Sequence, residues 1–221
     1  RQQAVLGRAV WRPWFEGDNS FAIGADVTHL FSPARTGATH DVRLQARPEL
    51  NTQVVDLRLI DTGAMDADSI TTLGLEAAGN LGSLYAQGGL FHFAVDRAQP
   101  TLSDPGFSGW YLQGSWILTG EVRPWNRATA GHGAPSPATP LGEGGFGAVE
   151  LALRYSGLDL DHRAGLPALA QPADAIRGGR QQIVTLGLNW YPVAALRLML
   201  NYQHVTVDRR NGGGGSLDAG L

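Results

Sequence analysis

The chain has 221 residues, of which 43% are hydrophobic and only 17% charged, with a net charge of −3. Cysteine is absent, which excludes a disulfide framework, a thiolate metal centre and a cysteine nucleophile. The slightly acidic balance advertises no nucleic-acid surface. The charged fraction falls short of the roughly one quarter usual for soluble domains, and 30 glycines with 12 prolines argue for many turns and against long helices. All 17 basic residues are arginine. Any anion site must therefore be built from guanidinium groups, which stay charged and grip oxyanions through paired hydrogen bonds.

Alternation of apolar and polar side chains, the period of a strand with two different faces, recurs along the chain. It predicts ten strands, near residues 4–12, 20–31, 41–47, 54–60, 69–78, 83–96, 107–120, 146–160, 180–191 and 196–208. In 41–47, Arg43, Gln45 and Arg47 share one face against Val42, Leu44 and Ala46. In 107–120, Trp110, Leu112, Trp116 and Leu118 oppose Tyr111, Gln113, Ser115 and Thr119. The clearest run sets Val149, Leu151, Leu153 and Tyr155 against Glu150, Ala152 and Arg154. The last two set Val184, Leu186, Leu188 and Trp190, then Leu196, Leu198, Leu200 and Tyr202, against Thr185, Asn189, Arg197 and Asn201.

These apolar faces recur without a covering layer, and no run of 18 apolar residues could cross a membrane as a helix. The prediction is an all-β chain: an antiparallel transmembrane β-barrel, one domain over 1–221, truncated at both ends. The chain opens at Arg1, so the lack of a visible leader says nothing about destination. Gly79-Asn80-Leu81-Gly82 and Pro192-Val193-Ala194-Ala195 read as tight turns, and 97–106, 161–179 and 209–221 as longer loops. Short turns at one end and long loops at the other are what an outer-membrane barrel needs. Segment 122–145 is long yet falls at the short-turn end: it is an excursion there, or the strand count is off by one. Trp110, Trp116, Trp190, Tyr155, Tyr191 and Tyr202 fall at or near outward positions, as candidates for aromatic girdles.

Motifs for chemistry are weak. Gly142-Glu143-Gly144-Gly145-Phe146-Gly147 spells G-x-G-x-x-G, but Pro135, Pro137 and Pro140 lead into it where a dinucleotide site needs a strand. Asp159, Asp161 and His162 are close in sequence without metal-ligand spacing, and no serine has a neighbouring base. Nothing supports catalysis, and no cofactor is expected.

The second half resembles the phosphate-selective porin O and P family of Gram-negative outer membranes. The residues carrying the resemblance run from Gly109-Trp110-Tyr111-Leu112-Gln113-Gly114-Ser115-Trp116 through Val149-Glu150-Leu151-Ala152-Leu153-Arg154-Tyr155. They continue through Thr185-Leu186-Gly187-Leu188-Asn189-Trp190-Tyr191 to Leu196-Arg197-Leu198-Met199-Leu200-Asn201-Tyr202. Arg47-Pro48-Glu49 and Asp61-Thr62-Gly63 match weaker blocks upstream. The resemblance implies a sixteen-stranded barrel, of which this chain supplies about ten strands, embedded in outer-membrane lipid as a homotrimer and passing phosphate through an arginine-lined pore. It implies that the constriction loop lies before Arg1, and it assigns the anion-pore lining to Arg43, Arg47 and Arg58. Gln45 stands where another arginine of such a ladder is expected. Glu150, Arg154, Asp56 and Arg197 are the candidates for bracing the pore wall by ion pairing. Two other readings stay open: a general-diffusion or organic-solute porin without phosphate selectivity, and a soluble ligand-binding β-barrel.

Overall fold

The computed structural model describes residues 2–37, 39–47, 49, 58–165, 171–210 and 216–220. In chain order the strands are β1 (Gln3–Glu16), β2 (Asn19–Ser32), β3 (Arg35–Thr36), β4 (Thr39–Val42), β5 (Gln45–Ala46) and β6 (Ile60–Asp61). There follow β7 (Met65–Leu81), β8 (Leu84–Arg97), β9 (Gly106–Ile117), β10 (Trp125–Asn126) and β11 (Gly131–His132). Last come β12 (Ala148–His162), β13 (Ile176–Val193), β14 (Leu196–Arg210) and β15 (Ser216–Gly220). The described residues contain no helix.

The main sheet runs β1-β2-β7-β8-β9-β12-β13-β14-β15, every pair antiparallel. Strands β1 and β15 stand at opposite edges, so the described residues form an open wall and not a closed barrel. Its two faces are sharply different. Leu151 and Leu153 are 45% and 52% exposed, whereas Glu150 beside them is fully buried. Register carries this across the wall: Leu153 lies opposite Leu186, and Leu186 opposite Tyr202. Large apolar side chains outside and polar ones within reverse the arrangement of a soluble domain.

Along β9 the outward Trp110 and Trp116 are separated by roughly 20 Å at the usual rise per residue. That approaches the apolar band of about 25 Å that outer-membrane barrels show between their aromatic girdles. Trp110 packs edge-on against Tyr155, with ring centroids 4.8 Å apart. Trp190 stacks on Phe146 and donates its indole N–H to the Phe146 carbonyl at 2.8 Å. Tyr191 departs from the expectation. It shares the inner face with Asn189 and is buried, its hydroxyl donating to Glu150.

The connections alternate as predicted. Residues 17–18, 82–83 and 194–195 make the tight turns at one end, while 33–64, 98–105 and 163–175 join strands at the other. Gly17 and Gly82 adopt left-handed backbone (φ 56° and 54°), which a two-residue hairpin turn requires and glycine supplies cheaply. The turn predicted at Gly79-Asn80-Leu81-Gly82 therefore sits at Gly82-Ser83, with Gly79 to Leu81 inside β7. The predicted loop 209–221 also needs correction, because β14 reaches Arg210 and Ser216–Gly220 pair with it; residues 211–215 lie outside the described ones.

Two predicted strands do not run through the wall as strands of their own. Residues 41–47 are split between β4, which pairs with the start of β7, and β5, which pairs with β6. Of 54–60, residues 54–57 lie outside the described residues and Ile60 opens β6. Both belong to the β2–β7 connection, which folds onto the polar side of the wall. Leu59 and Ile60 are buried there in one apolar cluster with Val95, Phe107, Leu160 and Val207. Full burial of an isoleucine contributes roughly 1.5–3 kcal/mol, so the connection is held and not merely draped. At the opposite end, residues 118–147 are an excursion and not a miscounted strand. β9 pairs directly with β12, Ile117 lying opposite Glu150.

Candidate functional site

The polar side of the wall is reached from both ends. From the long-loop end comes the β5–β6 hairpin. Arg43, just before β5, donates from Nε to Asp61 Oδ1 at 2.9 Å and from a second nitrogen to Asp61 Oδ2. Gln45 Nε2 donates to the same carboxylate at 3.1 Å, and Arg58 donates to Gln45 Oε1. Arg43, Gln45 and Arg58 are thus brought together around Asp61, with half of the Arg43 side chain still open to solvent. The Arg47 side chain is exposed, and its carbonyl accepts from Gln181 Nε2 of β13 at 3.4 Å, joining hairpin to wall.

Two of the bracing candidates, Arg154 and Glu150, take a partner from an excursion. Arg154 on β12 donates from Nε to Glu49 Oε1 at 2.9 Å and from a terminal nitrogen to Gln113 Oε1 at 2.7 Å. Ser156 Oγ reaches the same Glu49 oxygen at 2.7 Å. Glu150, four positions before Arg154 on the same face, is bound instead by Arg123 of segment 118–147. Its other oxygen accepts from Asn189 Nδ2 at 3.0 Å and the Tyr191 hydroxyl at 2.9 Å. Arg197 donates to Asn189 Oδ1 at 2.9 Å and lies 5.5 Å from the Tyr191 ring centroid. Asp56 lies outside the described residues.

Segment 118–147 is pinned at further points. Arg123 also donates to the Gly133 carbonyl at 3.0 Å. His132 Nε2 lies 2.9 Å from Ser20 Oγ and 3.0 Å from Asn80 Oδ1. Arg8, paired with Glu76, reaches the Thr129 carbonyl at 3.0 Å, and the Arg12 guanidinium lies 5.0 Å from the Trp125 ring. Burial, with Arg123 and Arg12 nearby, pushes the His132 imidazole below its ordinary value. Between the excursions lies a cavity of about 450 Å³ lined by Arg123, Arg154 and Arg197 together with Gln113, Asn189 and Asn201. Guanidinium and amide groups in this arrangement can exchange weak hydrogen bonds with a passing solute.

One face of the wall thus carries leucine and aromatic side chains, and the other is polar and contacted by excursions from both ends. The sequence profile of a family described as "Phosphate-selective porin O and P" matches residues 2–215. The chain belongs to this porin family. It is also similar to a Caulobacter vibrioides protein described only as uncharacterized, with 31% identity over 196 residues. That match covers 89% of this chain and 36% of the relative, so the porin chain spans about a third of the relative's length.

Two of this porin's inner residues escaped sequence reasoning. Arg123 and His132 sit in a Pro/Gly-rich stretch that reads as a solvated loop. The one signal was Trp125 between them, an aromatic unsuited to a purely solvated excursion. Asp159 and Asp161, near the end of β12 and considered as metal ligands, pair with Arg180, at 2.9 and 3.7 Å. Among the described residues no cluster of three or more His, Asp or Glu could hold a metal ion.

The Arg43–Asp61 pair makes the stability of the hairpin depend on pH in acid. Hydrogen bonding from Arg43, ahead of the other influences, lowers Asp61 to about 2 from the usual 3.8. A depressed carboxylate stabilises the folded arrangement fully above its unfolded value and loses that contribution as pH falls through the folded one. Amide-exchange protection across β5 and β6 should therefore hold from neutral pH to about 4 and decline between about 4 and 2. Asp61→Asn should remove the decline and lower protection at every pH.

Proposed function

We propose that this chain forms part of the wall and the constriction of an outer-membrane porin that passes small anions, inorganic phosphate among them, by diffusion. The inverted polarity of the sheet carries this reading: an apolar outer surface suits lipid, and the guanidinium-rich inner side suits a water-filled lumen. Exposed leucines on strand after strand argue against a soluble barrel. Open sheet edges cannot face hydrocarbon, so the reading requires further strands beyond β1 and β15 to close the barrel. The family resemblance supports assembly as a homotrimer.

In this reading Arg43, Arg47 and Arg58 line the anion path, Glu150 and Arg154 hold the excursions in position, and Arg197 braces Asn189 within the wall. The constriction loop is then the β2–β7 connection itself, within this chain. Guanidinium groups offset part of an anion's dehydration, and carboxylate partners keep each site weak enough to release it. Conductance of the intact protein in planar bilayers tests this. Replacing Arg43, Arg47 and Arg58 together with alanine should weaken phosphate binding at least about tenfold, since a hydrogen bond to a charged group contributes about 1.5–3 kcal/mol. The preference for anions over cations should fall with it.

The general-diffusion reading gains support from one observation. Asp61, Glu49 and Glu150 pair with Arg43, Arg154 and Arg123, so much of the inner positive charge is balanced. Equal permeation of phosphate and chloride in the unmodified protein would select this second reading.

A further inference from the structure

Between the β5–β6 hairpin and the wall lies a second cavity of about 240 Å³, bounded by Glu49 of the loop and by Phe91, Tyr111, Arg154, Ser156 and Gln181 of the wall. Its floor is aromatic. The Phe91 and Tyr111 rings stand 5.8 Å apart at 19° from parallel. A Cβ on Gly89 would come within 2.5 Å of Tyr111 Cε1, and one on Gly109 within 3.9 Å of Phe91 Cδ2. Glycine beneath Tyr111 lets that ring lie down on the sheet under the Arg154 guanidinium, and Phe91 beside it is the uncovered part of this apolar platform. The Arg154 guanidinium sits 4.2 Å from the Tyr111 centroid.

Above the platform the groups are polar, and one of them is unsatisfied. Gln181 is only 5% exposed, and its Oε1 has no hydrogen-bond partner. Turning the amide over gives no relief, because Nε2 donates to the Arg47 carbonyl and Oε1 in its place would meet another acceptor. A buried acceptor without a donor is costly, and a ligand that donates to it recovers that cost. Glu49 and Ser156, hydrogen-bonded to each other, stand alongside.

We infer that this cavity is a subsite for a small polyhydroxylated solute of the hexose or polyol class. The C–H face of such a molecule lies on the Phe91 end of the platform, beside the guanidinium that covers Tyr111, while its hydroxyls donate to Gln181 Oε1 and Glu49 and accept from Arg154. Bare phosphate fits poorly, having no apolar face and meeting two acceptors. The inference rests on the reading of the polar side as a water-filled lumen.

Sugar-dependent block of ion current through the intact protein in planar bilayers tests it, with glucose and sorbitol as probes in potassium chloride. Saturable interruption of the current is expected. Phe91→Ala should raise the half-blocking concentration about tenfold through lost ring contact, and Gln181→Leu about fivefold through the lost acceptor. Heat-modifiable gel mobility identifies the variants that fold. A channel that conducts without saturable block, or one blocked equally after Phe91→Ala, overturns the subsite and leaves the pore intact. Protein that inserts but carries no current overturns the pore and this inference together.

Discussion

Glu150→Ala is expected to cost the fold about 3–5 kcal/mol, the usual penalty for breaking a buried ion pair by removing one partner. Glu150 is fully buried and binds Arg123, Asn189 and Tyr191 at once. Its loss strands a guanidinium that is only 16% exposed, along with two neutral donors. Arg123 also holds the Gly133 carbonyl, so the whole excursion 118–147 should loosen. Urea unfolding in detergent would read the stability change, and faster tryptic cleavage after the exposed Arg127 would report the loosening. Replacing both Glu150 and Arg123 with leucine should cost much less than Glu150→Ala, because no buried charge is then left unpaired. Equal losses in the two variants would mean that the pair is not what holds the segment.

Leu153→Arg is expected to cost about 2–4 kcal/mol in a bilayer, the penalty for a cation near the middle of the lipid-facing surface of a barrel. Leu153 is exposed in the middle of β12, flanked across the register by Gly114 and Leu186. The matched control is Thr185→Arg, one strand away on the opposite face and lining the 450 Å³ cavity. That variant should insert normally. Heat-modifiable mobility after refolding into lipid vesicles separates the two, and equal refolding of both would contradict the assignment of faces.

The wall was legible in the sequence because a period of two identifies an extended chain with two different environments. The tight turn at 194–195 left the register of β13 and β14 no freedom, so β12, β13 and β14 fell close to their predicted places. The same signal misled at 41–47. Arg43, Gln45 and Arg47 alternate with Val42, Leu44 and Ala46 in the wall and the hairpin alike, and alternation does not say which sheet a segment joins. That is why the β2–β7 connection was read as two wall strands. The pairing partners were illegible for another reason. Glu49 and Arg154 are 105 residues apart, and Arg123 meets Glu150 only because a Pro/Gly-rich stretch turns inward. Neither contact leaves a local trace in composition or spacing.

The two excursions enter from opposite ends, the β5–β6 hairpin against Arg154 and Gln181, and residues 118–147 against Glu150, Ser20 and Asn80. In a lumen so furnished the two narrow zones act as resistors in series. Widening either one alone leaves the other to govern flux, and only a change at both thresholds would raise throughput in full.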